Sequence, residues 1–581
     1  MRRILVGLAA TAAVALAAPA AHAAPPQPFG HACTPQDGVL FCPTADDGQR
    51  VPSFDGVPLD VDVTLPPTGD GPFPTIVMLH GWGGSKTAFE SHSPGSGYNN
   101  VFYAQHGYAV VTYSARGWGR SCGALDSRTS PACDRGWIHL ADQRYEERDT
   151  QHLLGLLADQ GVTSPSRIGV TGVSYGGIQT LNLARLRNRV RLEDGSFAPW
   201  RSPNGTPLQI KAGYSRWGGS DMTYALQPNG RFTDFRTPRR NDAIRPGGVM
   251  KKSFLDGLYL LGVGSGFYEP AGGPFNADLT TWKMLSDRGE PERRDALAVG
   301  RELTAFHSWA GLSGRSAALI VQNGWTDDLL PAPEALRVYR TFRAARGARL
   351  SLQLGDLGHQ RGTNDLGMTA AMSAQGSAFF DFYLKGQGRA PRHGSVLAYT
   401  QTCPGYAAMA RFRARNWERL HPLSVALRHR GTLRMSSGGG DPATGAAIDP
   451  VAGGGNACAT LPAKRASGTA TIQRRFRKPF TLLGMPTVES RIRTKGRGGI
   501  IAARLWDVHR GKQLLVSRGV YRLRDNQRGR IVFQLFGNGW RFAKGHSAKL
   551  ELLGSDPNYL RTSNFKFSVR LARTSVELPG R

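Results

Sequence analysis

Two periods of hydrophobicity divide this chain of 581 residues. Up to about residue 390, short continuous apolar runs at 74–79, 167–171, 209–215, 317–322 and 349–354 end in glycine-bearing turns, as strands buried on both faces do. Between them, 178–186 and 333–345 carry leucine, valine and aromatic residues at helical spacing. This alternation predicts a mostly parallel sheet with helices on its faces, over residues 51–395. Beyond Gly386 the period falls to two, in 469–474, 500–506 and 549–553, with turn residues between the strands. That texture predicts an all-β sandwich over 396–581. Residues 24–50 are read as an N-terminal extension.

Chemistry enters at the end of the run 167–171, where the chain reads Gly172-Val-Ser174-Tyr-Gly176. A serine flanked two residues either side by glycine, after a strand and before a helix, is the pattern of a nucleophile elbow. The turn is tight enough to require glycine, and the serine oxygen stands clear of the backbone. Such a serine needs a base and a group to orient that base, in chain order serine, aspartate, histidine. The run 317–322 leads into Asn323-Gly-Trp-Thr-Asp327-Asp328, and 349–354 leads into Gly355-Asp356-Leu-Gly-His359. Asp327 and His359 thus fall on adjacent strand ends, with Asp328 and Asp356 as rivals for the carboxylate. The oxyanion needs backbone donors, one from Tyr175, directly after the serine. The second is expected from the loop His80-Gly81-Trp82-Gly-Gly84, at Trp82 or Gly81, where glycine lets the backbone approach a ligand closely.

These residues, with Arg116-Gly-Trp-Gly-Arg-Ser121 and Phe380-Asp-Phe-Tyr-Leu-Lys-Gly386, resemble the cocaine esterase and X-prolyl dipeptidyl aminopeptidase family of serine hydrolases. Trp506-Asp-Val, Gly545-His546 and Leu553-Gly-Ser-Asp-Pro557 are similar to that family's terminal jelly roll, and the resemblance runs over about residues 50 to 575. It implies an α/β-hydrolase catalytic domain with a helical cap, followed by a jelly-roll domain of galactose-binding type that helps close the active site. Some members place a tyrosine hydroxyl in the oxyanion hole at the position corresponding to Trp82. An indole has a single N–H donor, so either it substitutes or the hole is all backbone.

The gap from Ser174 to Asp327 far exceeds the roughly 60 to 70 residues that two βαβ crossings need. The surplus is assigned to a cap at about 221–310, and the aromatics Trp217 just before it and Tyr224, Phe267 and Trp282 within it argue against a solvated loop. A dipeptidyl peptidase must hold a substrate ammonium, and burying one requires carboxylates. The cap offers Asp221, Asp234, Asp242, Asp256, Glu269 and Asp278 alongside many cations. Broad acyl-ester hydrolysis is therefore the expected activity, with X-prolyl dipeptidyl cleavage as the alternative. A non-catalytic cell-wall or carbohydrate-binding protein is a third reading, opposed by the intact serine, aspartate and histidine.

Arg2-Arg3, an apolar stretch from Ile4 to Ala18 and Ala21-His-Ala23 read as a secretory signal peptide over 1–23, cleaved near Ala23, and so as an extracellular protein. No later segment is long and apolar enough to span a bilayer. Six cysteines suit an exported chain. Of the roughly 15 possible pairings, the sequence-local one is expected: Cys33 with Cys42, Cys122 with Cys133, and Cys403 with Cys458. No metal-ligand or phosphate-loop pattern occurs, so neither cofactor nor metal is expected. The formal charge is +30, and from Lys464 to Lys544 there are 20 Lys or Arg against three acids. This fits either electrostatic association with an anionic cell wall or a general arginine bias on exposed strand faces. With no reading module, nucleic acid is not an expected partner. The expected partner is a small ester or peptide substrate, and oligomeric state is not legible.

Overall fold

The computed structural model describes residues 27–581 except 96, 237–238, 240, 270–271, 274–277, 289, 291–292, 344, 346 and 404–408. The expected signal peptide and its cleavage site lie outside the described residues.

An eleven-stranded sheet organises the first part of the chain. Seven strands at its centre run parallel, in the spatial order Ala109–Tyr113, Phe73–Leu79, Thr163–Val173, Ile210–Arg216, Ala318–Gly324, Leu350–Gly355 and Val396–Tyr399. Every residue of Ala318–Gly324 and of Leu350–Gly355 is buried. Such strands have no solvent face to alternate, which is why they read as unbroken apolar runs. Helices Glu146–Asp159, Tyr175–Leu186 and Pro333–Arg343 pack against the sheet, each with a largely buried face. Between the strands Ile210–Arg216 and Ala318–Gly324 the chain leaves the sheet for four helices, Met222–Leu226, Lys252–Ser265, Leu279–Asp287 and Arg294–Phe306. These roof the carboxyl ends of the parallel strands. This is an α/β-hydrolase sheet with a helical cap and a β region after it.

The strand pairing corrects both borders drawn from periodicity. The expected extension at 24–50 supplies Thr34–Gln36 and Val39–Cys42, which pair in turn onto Val61–Leu65 at one edge of the large sheet. At the other edge, Val396–Tyr399 and Arg411–Ala414 belong to the same sheet, so it continues past residue 395. Only from Leu423 do the strands form the sandwich, a six-stranded sheet and a five-stranded one. Short edge strands carry too few residues for their period to reveal which sheet they join.

All six cysteines are disulfide-bonded in the sequence-local pairs, Cys33–Cys42, Cys122–Cys133 and Cys403–Cys458. With the border moved, the third pair has a larger role. Cys403 follows a strand of the large sheet, and Cys458 precedes the sandwich strand Thr460–Pro462, so this bond staples the two β systems together. Among the described residues, no helix is long and apolar enough to cross a membrane.

Candidate active site

The strands Phe73–Leu79 and Thr163–Val173 are neighbours, with Leu79 opposite Gly172. Their carboxyl ends therefore deliver the loop that begins at His80 and the turn at Ser174 to the same place. Ser174 has φ 55° and ψ −114°, a backbone conformation that L residues rarely adopt. Close packing holds it there. A Cβ on Gly176 would lie 2.0 Å from the Leu79 carbonyl oxygen, and the Ser174 N–H donates to the Arg216 carbonyl at 2.9 Å. The elbow glycines are thus demanded by the neighbouring strand end as well as by the turn.

His359 Nε2 lies 2.7 Å from Ser174 Oγ, and its Nδ1 lies 2.7 Å from Asp327 Oδ2. Asp327 is fully buried, and its other oxygen accepts the N–H groups of Leu329 at 3.0 Å and Leu330 at 2.9 Å. Gly358, at φ 110°, lets the histidine loop fold over this carboxylate, since a Cβ there would stand 2.5 Å from Asp327 Oδ2. The rival carboxylates have other partners. Asp328 lies 2.8 Å from Arg361 and 3.4 Å from Arg518 of the sandwich. Asp356 accepts hydrogen bonds from the hydroxyls of Thr326, Thr363 and Thr402, bracing the loops around it.

The loop beside the serine is held by a histidine whose tautomer is fixed. The Ala115 N–H donates to His80 Nε2 at 2.9 Å, so Nδ1 carries the proton and donates it to the Gly81 carbonyl at 2.7 Å. Burial pushes this imidazole down to about 4, keeping it neutral. The Gly81 carbonyl and the Trp82 N–H share one peptide plane, so fixing the first orients the second. The indole of Trp82 is not available for the oxyanion, because its single N–H donates to the Leu258 carbonyl of the cap at 3.0 Å. Its ring packs edge-on against Tyr175 and Trp118, with centroids 5.5 and 4.7 Å away. The Tyr175 hydroxyl in turn donates to buried Glu146 at 2.9 Å. Burial pushes Glu146 up to about 8. As the first residue of its helix, Tyr175 has a backbone N–H with no carbonyl one turn earlier to receive it.

A cavity of about 130 Å3, partly open to solvent, adjoins Ser174. Its wall is formed by Trp82, Ile178, Met222, Leu226, Leu255, Leu258, Tyr268, Trp282 and Leu303, with Gln227, Lys283 and Ser286 among its few polar members. None of the six acidic residues that the sequence offered for an ammonium site lines it among the described residues. Asp221 and Asp278 cap helices, and Asp234 accepts from the Trp417 indole at 2.7 Å. Asp242 pairs with Arg236, and Asp256 with Lys252 and Lys283. Glu269 is half-buried and is not part of the wall.

Residues 55–190 match the family model of the X-Pro dipeptidyl-peptidases, the S15 family. The protein is a serine hydrolase resembling that family. No curated protein matches the chain. Among solved structures, a CocE/NonD family hydrolase from Staphylococcus aureus is 14% identical, covering 94% of each chain with a TM-score of 0.57. An aminopeptidase from a marine sediment Thaumarchaeota archaeon is 15% identical, covering 94% of this chain and 97% of its own, with a TM-score of 0.56. A selenomethionine-labelled α-amino acid ester hydrolase is 16% identical, covering 97% of this chain and 100% of its own, with a TM-score of 0.57. At these identities the likeness is one of fold, and it extends through the cap and the sandwich.

Several residues support the hydrolase site through contacts between segments that the sequence does not bring together. His80 and Trp118 brace the loop at 80–84, and Glu146 holds the hydroxyl of Tyr175 at the start of the next helix. Lys251, at the start of the cap helix Lys252–Ser265, is buried and donates to the Leu329 carbonyl at 2.7 Å, tying the cap to the loop that bears Asp327. Burial lowers its pKa to about 7, against the pull of Glu334, Asp327 and Asp328. Between about pH 7 and the ordinary lysine value, the unfolded chain then binds a proton that the folded chain does not. Stability gained from this residue therefore rises with pH across that window. Urea unfolding at pH 7, 8.5 and 10 should show wild type gaining stability relative to Lys251→Met as pH rises. A difference constant over that range would mean that Lys251 titrates normally.

Proposed function

We propose that this serine hydrolase is a secreted acyl esterase working through an acyl-enzyme. Ser174 Oγ attacks the ester carbonyl while His359 Nε2 takes its proton, and Asp327 keeps the imidazole in the tautomer that can accept it. The Tyr175 and Trp82 backbone N–H groups receive the developing oxyanion, since the Trp82 indole is committed elsewhere. His359 then protonates the departing alcohol and activates the water that releases the acid. Secretion is supported by the leader pattern at residues 1–23 together with three disulfides.

The observation that carries the ester reading is the apolar wall beside Ser174, free of any carboxylate among the described residues. A free α-ammonium buried there would have no counter-charge to offset its desolvation. An alkyl or aryl acyl group, by contrast, gains about 0.8 kcal/mol per buried methylene. On p-nitrophenyl esters of lengthening acyl chain, kcat/KM should thus rise roughly threefold to fourfold per methylene until the cavity is filled. X-Pro dipeptidyl cleavage is the second reading, supported by the S15 match. Efficient hydrolysis of an Ala-Pro anilide, lost on acetylating its amino group, alongside negligible esterase activity, would replace the first reading with the second.

A further inference from the structure

Four arginines on the sandwich stand in one line. The strands Leu423–Ser436, Phe567–Gly580, Thr487–Gly496 and Arg528–Gln534 lie side by side in the six-stranded sheet. Their antiparallel register sets Arg434 opposite Arg570, Arg570 opposite Arg493, and Arg493 opposite Arg528. All four are exposed, on the face turned away from the sandwich core. With neighbouring strands about 4.8 Å apart, the row spans roughly 14 Å. Like charges directly opposite one another destabilise a sheet. Here three successive cross-strand pairs do so, and among the described residues no carboxylate forms an ion pair with any of the four. Two residues further along, Arg530 stands opposite Arg491 and reaches diagonally to Glu489 at 2.6 Å, a relief that the four do not have. Lys495 and Arg491 extend the positive strip along the central strand.

A general arginine bias explains how many arginines the chain has, but not their alignment. Outward strand positions require only polarity, which serine, threonine or glutamine would supply without repulsion. We propose that the row is a docking strip for a linear phosphodiester polymer of the kind that coats a cell surface. Guanidinium forks bind phosphate oxygens bidentately, and a polymer with one charge per repeat can neutralise adjacent forks in succession. The strip is not built for nucleic acid: no Phe, Tyr or Trp stands among the exposed positions of these strands, so bases would have nothing to stack on. Nor does it expose an apolar wedge near the row for insertion into a bilayer.

Inorganic polyphosphate is the probe. The variant R434Q/R493Q/R528Q/R570Q should bind it at least tenfold more weakly than wild type, with the slope of log affinity against log salt reduced by about 3. A charge-matched control, R201Q/R301Q/R315Q/R411Q, changes four exposed arginines elsewhere and should stay within about twofold of wild type. Both variants should keep wild-type esterase turnover, which excludes misfolding as the cause of any loss. Equal weakening in the two variants would reduce the effect to net charge and overturn the proposal. Absence of polyphosphate binding, or tighter binding of single-stranded DNA, polyglutamate or anionic vesicles at the same salt, would overturn it as well.

Discussion

Ser174→Ala removes turnover by a factor on the order of 10⁵ to 10⁶, and His359→Ala costs a comparable amount, because nucleophile and base act as one unit. Neither substitution should unfold the protein. The elbow is held by Gly176 against Leu79 and by the Ser174 N–H on the Arg216 carbonyl, none of which involves the serine oxygen. Circular dichroism and urea unfolding alongside kinetics on a p-nitrophenyl ester separate the two effects. A Ser174→Ala protein that retained most of its activity in a clean preparation would require another nucleophile.

The adjacent carboxylates should part in opposite ways. Asp327→Asn loses on the order of 10³ to 10⁴ in turnover with the fold retained, since an amide facing Nδ1 allows the wrong imidazole tautomer. Asp328→Asn leaves turnover of the folded enzyme within a few-fold but lowers stability by about 3 kcal/mol or more. Its carboxylate is the buried ion-pair partner that Arg361 and Arg518 share, and removing it leaves both guanidinium groups without that partner. Turnover and unfolding measured on both variants decide the matter. A turnover loss at Asp328 exceeding that at Asp327 would move the orienting role by one residue.

The sheet is legible, and so is the placing of Ser174, Asp327 and His359 at neighbouring strand ends, because their signals are local. A buried parallel strand is an unbroken apolar run, and the strand-end turns place each functional residue within a few positions of its strand. The sequence alone leaves Asp327, Asp328 and Asp356 as rivals, and only packing shows that Asp327 faces His359 Nδ1 while accepting the following backbone N–H groups. The supporting residues were not legible. His80 acts through the Ala115 N–H, Glu146 through the Tyr175 hydroxyl and Lys251 through the Leu329 carbonyl, all contacts between segments distant in sequence. The cap's acidic residues illustrate the same limit. Composition counted six candidates for an ammonium site, whereas packing gave most of them to helix caps and ion pairs. Likewise, the strands Val396–Tyr399 and Arg411–Ala414 fall beyond the expected border at residue 395, though their hydrogen-bond partner is the hydrolase sheet.

The proposed mechanism requires Ser174 to be an activated nucleophile, and labelling the purified protein with a fluorophosphonate tests that directly. Peptide mapping should find one phosphonylated site, Ser174, at full stoichiometry in wild type, with labelling strongly slowed in His359→Ala and absent in Ser174→Ala. An unlabelled wild-type protein, or a label mapped to a different serine, would contradict it.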